Sequence, residues 1–182
     1  MDSFYSHEEL RQIGFKNFGN NAKISKKASF YNVSNISIGN NVRIDDFCIL
    51  SGTIELHSNI HISAYVALYG ASGIILEDYS GLSSRTTIYS EVDDFSGNYL
   101  IGPMVQNKFR KLTSGIVHIK KYSQIGANAI VFPNVVIEEG VSVGAFSLVN
   151  KSLDAWSIYV GIPAKKIKDR SKNLLNFLNE IN

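Results

Sequence analysis

Two adjacent carboxylates, Asp93 and Asp94, stand in a polar stretch, and no histidine occurs between His61 and His118. Carboxylates there can hold an amine and collect its proton, whereas deprotonating a hydroxyl, far above neutral pKa, favours a positioned base such as imidazole. The same pair can equally start a turn at Ser96 and Gly97, because aspartate side chains bond the backbone just ahead of them. Three of the four histidines, His57, His61 and His118, could supply imidazoles to zinc. The basic residues form no run longer than the pairs at Lys26, Lys120 and Lys165, and the net charge is only +2. That excludes a nucleic-acid surface and makes any basic site local.

A scaffold for these groups is legible in a period of six. Aliphatic residues recur at Ile38, Ile44, Leu50, Leu56, Ile62, Leu68 and Ile74, then after a two-residue slip at Leu76, Leu82 and Ile88. They resume at Ile119, Ile125, Val131, Ile137, Val143 and Val149. Six fits neither the helical 3.6 nor an uninterrupted alternating strand. It fits short strands joined by corners, three to a coil, with aliphatics pointing inward and coils about 4.8 Å apart. The grid predicts Leu56 over Ile38, Ile62 over Ile44 and Val143 over Ile125. An α/β fold or a sandwich is the alternative, but no helical segment separates the strands and Asn-Gly hairpin signals are absent.

On this grid Gly126 stacks under Gly144 and Ala127 under Ala145, a column of backbone amides that fits either tight corners or an extended ligand. Tyr65 and Arg85 share one outward column with Asn128. His57 and His61 fall toward opposite ends of one side, and His118 lies on the next coil but one, which places the three imidazoles badly for one zinc ion.

The hexads, with IGANAI and VGAFSL the clearest, resemble those of the hexapeptide-repeat acyltransferase family over roughly residues 24–164. The resemblance implies an all-β left-handed parallel β-helix, an exception to the usual crossover hand. It also implies acetyl-CoA as co-substrate, with no metal required. The pantetheine arm is then expected along Gly126, Ala127, Gly144 and Ala145. The segment NKSLDAWSIYVGIPAKKIKDR resembles the family's C-terminal signature, with Asn150 where a threonine is usual. There Lys151, Lys165 and Lys168 match positions near the CoA phosphates, Lys166 and Arg170 are plausible additions, and Trp156 either faces the adenine or is a buried cap. Hydroxyl-acylating relatives place a histidine in the projecting loop, where this chain has Asp93. The DDFSG of the loop resembles that of acetyltransferases acting on nucleotide-linked 4-amino-4,6-dideoxy sugars. Asp93 and Asp94 are therefore the expected catalytic residues, and His61, Tyr65 and Arg85 the expected acceptor contacts. Arg85 can instead face a neighbouring subunit's acid.

The expected divisions are an N-terminal helical cap over 1–23, the β-helix over 24–164 with a projecting loop over 91–115, and a C-terminal helix over 165–182. Ser6 and Glu9 form a capping-box pattern, with Phe4, Leu10 and Ile13 to bury. Ile167, Leu174, Leu175, Leu178 and Ile181 make a helical stripe. In the resembling family the loop serves an active site shared with a neighbouring subunit. Outward Tyr65, Tyr69, Tyr89 and Phe146 are large for a solvated surface, and they point to a homotrimer. The single Cys48, the absence of a signal-peptide core and of any membrane-spanning apolar run suggest a soluble cytoplasmic protein without membrane insertion. The expected function is acetyl transfer to the amine of a nucleotide-linked amino sugar for bacterial surface polysaccharide (O-antigen, lipopolysaccharide). The alternatives are O-acetylation of a sugar hydroxyl and a zinc-dependent or non-catalytic β-helix.

Overall fold

A computed structural model, describing residues 3–181, gives a left-handed parallel β-helix of about seven turns. Each coil has three sides. Side one stacks Lys23–Ile24, Arg43–Ile44, His61–Ile62, Gly81–Leu82, Gln124–Ile125 and Ser142–Val143. Side two stacks Ser29–Tyr31 on the first half of Ile49–Leu56 and of Ala67–Leu76, then Thr87–Tyr89, Ile130–Val131 and Leu148–Val149. Side three takes Asn17–Phe18, Ile36–Ile38, the second halves of those two long strands, Val117–Ile119 and Val136–Ile137.

The register follows the grid, with Ile38 opposite Leu56, Ile44 opposite Ile62 and Ile125 opposite Val143. These aliphatics are essentially inaccessible to solvent. Burying each contributes about 1.5–3 kcal/mol, so the core drives the coiling. The two-residue slip is an enlarged corner: Gly70 pairs with Gly52, Ile74 with Ile54 and Leu76 with Leu56, and residues 71–73 form the bulge. Gly52 sits there at φ +96, where a Cβ would lie 2.5 Å from the carbonyl oxygen of Gly70.

The N-terminal helix His7–Ile13 has the full capping box between Ser6 and Glu9, and buries Leu10. Asn17–Phe18 already pairs with side three, so the solenoid begins inside the expected cap. The C-terminal expectation is corrected at its start, because Lys165–Asp169 is a strand rather than helix, antiparallel to Ser157–Val160. The chain reverses at Gly161, φ +104, and this strand covers the open edge of the last coil. In this C-terminal segment the helical turns come later, at Asn173–Phe177 and Leu178–Ile181. Ile167 is exposed, and the side chain of Ile181 lies outside the described residues, as do residues 1–2 and 182.

The loop over 91–115 leaves the corner between sides two and three as an arm, with Glu91–Asp93 antiparallel to Leu112–Ser114. Ser72 ties down its base, donating to the Glu91 carboxylate at 2.6 Å and through its N–H to the Ser90 hydroxyl at 2.8 Å. Among the described residues no helix is long and apolar enough to cross a membrane.

Candidate functional site

The corner between sides one and two holds Phe47, Tyr65, Arg85, Asn128 and Phe146, one per coil and all at positive φ. Such turns favour Asn or Gly, and the left-handed region costs a bulky residue about 1–2 kcal/mol. The third corner, between sides three and one, follows that preference in its lower coils, with Asn21, Asn41 and Asn59. Here aromatic and cationic side chains take the strained positions and point outward. Phe47 stacks on Tyr65 with centroids 5.0 Å apart, and the Arg85 guanidinium lies 4.7 Å over the Tyr65 ring.

Beside that column the backbone divides into engaged and free amides. Gly126 and Gly144 donate to the carbonyls of Val143 and Tyr159, each at 2.8 Å, so their N–H groups belong to the inter-coil ladder. This corrects the expectation that all four residues of the Gly-Ala column offer amides. A Cβ on Gly126 would lie 2.5 Å from the Ala145 nitrogen, so that glycine is required by coil stacking. Ala127 and Ala145 do keep their N–H groups free of any partner among the described residues, and so does Ser84 one coil below. The pairing of Leu82 with Ile125 stacks Ser84 under Ala127; as a small corner residue it carries no distinctive signal in the sequence.

Asp93 and Asp94 sit at the root of the arm's turn and differ in their bonds. Asp94 accepts from the Ser96 hydroxyl at 2.9 Å and the Gly97 N–H at 3.0 Å, so it does start the turn. Desolvation opposes ionisation there, but the Ser96, Asn98 and Gly97 hydrogen bonds outweigh it and hold the carboxyl below the usual range. Asp93 accepts through Oδ1 from Arg110 at 3.0 Å, and its Oδ2 has no partner among the described residues. Arg110 is mostly buried, and its Nε is enclosed without an acceptor among the described residues, a state that costs about 1–3 kcal/mol. The repeat could not reveal Arg110, because the arm lies off the grid.

At the C-terminal end Lys151 and Lys165 flank a cavity of about 260 Å³ with Asn150, Pro163 and Ala164. Lys168 is not part of its lining; it lies farther along the terminal strand, opposite Ile158. Two suggested additions are engaged elsewhere. Lys166 pairs with Asp169 at 2.7 Å, and Arg170 donates to the carbonyls of Tyr122, Gly140 and Val141. Trp156 closes the third corner's column against Tyr122, with Lys172 over its ring, as a packing residue. The three imidazoles each meet a separate carboxylate: His57 with Glu55, His61 with Asp45, His118 with Glu77. His57 and His61 flank a corner rather than share one side, and no metal-binding cluster forms among the described residues. Burial works to raise the Asp45 carboxyl, but the bonds from His61 and Arg43 prevail and lower it.

The chain is 48% identical over 170 residues to the dTDP-4-amino-4,6-dideoxy-D-glucose acyltransferase of Escherichia coli, a match covering 92% of this chain and 88% of that one. The chain belongs to the hexapeptide-repeat acyltransferase family. This acyltransferase also superposes with a TM-score of 0.98 on AntD, an N-acyltransferase from Bacillus cereus solved with dTDP and 3-hydroxybutyryl-CoA. The two are 56% identical over 100% of this chain and 97% of AntD. An AntD variant, 55% identical with the same TM-score and coverage, was solved with dTDP-4-amino-4,6-dideoxyglucose and coenzyme A. No family model matches the sequence. The fold and these relatives make the protein an acyl-CoA-dependent transferase.

Proposed function

We propose that this acyltransferase moves a short acyl group, acetyl in the simplest case, from acyl-CoA to the amine of a dTDP-linked 4-amino-4,6-dideoxy sugar. It would serve bacterial surface polysaccharide such as O-antigen, working in the cytoplasm as a homotrimer. The observation that carries this reading is an arm whose turn bears the adjacent carboxylates Asp93 and Asp94 and that has no imidazole, in a chain 55% identical to a protein solved with that amino sugar and coenzyme A. In this account the free N–H groups of Ala127 and Ala145 hold the pantetheine amides, while Lys151 and Lys165 take the CoA phosphates. Lys168 adds charge nearby, and Arg85 with Tyr65 meets the acceptor nucleotide. The unprotonated amine attacks the thioester carbonyl carbon, the C–S bond breaks as coenzyme A leaves, and the nitrogen's proton passes to Asp93, Asp94 or water. The trimer is supported by side two, whose strands carry exposed Tyr31, Tyr69 and Ile130 on separate coils, with exposed Phe146 at the corner that leads into it. Large exposed apolar side chains along one side are the kind of surface an interface covers.

Incubation with dTDP-4-amino-4,6-dideoxyglucose and either acetyl-CoA or 3-hydroxybutyryl-CoA, with mass analysis before and after hydroxylamine, tests the reading. An acylated, hydroxylamine-stable amide is expected; a hydroxylamine-labile ester would overturn it. The hydroxyl reading draws support from the His61–Asp45 pair, an imidazole held by a carboxylate at 2.7 Å near the active corner. If His61 were the base, His61→Ala would lose about 10² to 10⁴-fold in rate.

A further inference from the structure

We propose that Arg110 is a positioning residue for the acceptor carboxylates: by gripping Asp93 it fixes the turn that carries both Asp93 and Asp94. The inference rests on the proposed acceptor role of that turn, but its own evidence is independent. Arg110 follows the short helical turn Asn107–Phe109 and faces the opposite strand of the arm, so its guanidinium reaches across the hairpin to Asp93. Burying a guanidinium is unfavourable, and here one N–H is enclosed with no acceptor among the described residues. An apolar side chain would fill the space without that penalty. The side-chain bond Arg110 does make is to Asp93, and it uses one carboxylate oxygen while leaving the other without a partner among the described residues. That geometry restrains a carboxylate without saturating it, as a group that must hold a substrate amine requires. Asp94 follows directly and is itself locked to Ser96 and Gly97, so the orientation imposed at Asp93 carries into the whole turn.

The test uses the full-length protein and whichever acceptor, amino or hydroxy sugar nucleotide, the wild type turns over; that choice alone judges the functional reading. Arg110→Gln, with Arg110→Lys as a charge-preserving second variant, is compared with Asp93→Asn and the Arg110→Gln Asp93→Asn double variant. The expected result is an acceptor KM raised about ten-fold in Arg110→Gln, a KM for acyl-CoA changed by less than about two-fold, and partial recovery in Arg110→Lys. The double variant should lose no more than about two-fold beyond Asp93→Asn, because one side chain acts through the other. Equal rises in both KM values, or losses that multiply fully in the double variant, would overturn the proposal. If Arg110→Gln does not fold, the same split and coupling are read from Arg110→Lys.

Discussion

Gly126 and Ala127 are neighbours on one corner, yet they do different work. Gly126→Ala would push a Cβ to 2.5 Å from the Ala145 nitrogen, where only backbone can yield. Overpacking of this kind destabilises by about 1–3 kcal/mol, so a lowered melting temperature is expected, and an unchanged one would show that the coils can shift apart. The sequence made the glycine column visible but not which amides were engaged, because that depends on partners a full coil away. The lysines were legible by type, and the structure separated the two that share a cavity, Lys151 and Lys165, from Lys168. The Lys151→Ala Lys165→Ala variant should weaken acyl-CoA binding and leave acceptor affinity alone. Each exposed phosphate contact is worth about 1 kcal/mol, hence roughly five-fold. Unchanged affinity by calorimetry would remove the cavity from the CoA site. Asp93→Asn and Asp94→Asn should each slow turnover by less than about 10²-fold, since a carboxylate that positions an amine is not an essential base. A loss above about 10⁴-fold in either would make that residue the base.

At the scale of elements, the N-terminal helix was read correctly from Ser6 and Glu9, because a capping box is entirely local. Lys26 and then the Ser6 contacts pull the Glu9 carboxyl down from 4.5 to about 2. Its stabilising contribution is therefore fully present above about pH 4.5 and is lost as pH falls toward 2. Hydrogen-exchange protection of the Leu10 amide, bonded to the Ser6 carbonyl at 3.0 Å, should fade over that window. Ser6→Ala should lower helix stability by about 1 kcal/mol. Protection that is flat across the window in wild type would show that the cap contributes nothing. The opposite end misled for a physical reason. Residues 165–169 look helical by apolar spacing, but an unpaired coil edge nearby in space offers hydrogen bonds that local pattern does not register. The arm is legible as a departure from the hexads, while its hairpin pairing and its Arg110 anchor lie outside what a six-residue period encodes.

For the whole molecule, the stacked hexads made the solenoid legible because a repeat averages many weak signals into one register. The proposed trimer draws on the faces that register creates. Phe146 and Tyr31, 68% and 58% exposed, flank an outward side that cyclic association would cover. Sedimentation should give a trimer, and a stable, active monomer would contradict a site shared between subunits. The central claim is amine acylation, and the most direct measurement pairs a 4-amino sugar nucleotide with its 4-hydroxy counterpart, following release of free coenzyme A as pH is varied. The account expects turnover of the amino compound, rising with pH until its ammonium is fully deprotonated, and little from the hydroxy compound; turnover of the hydroxy compound alone would contradict it.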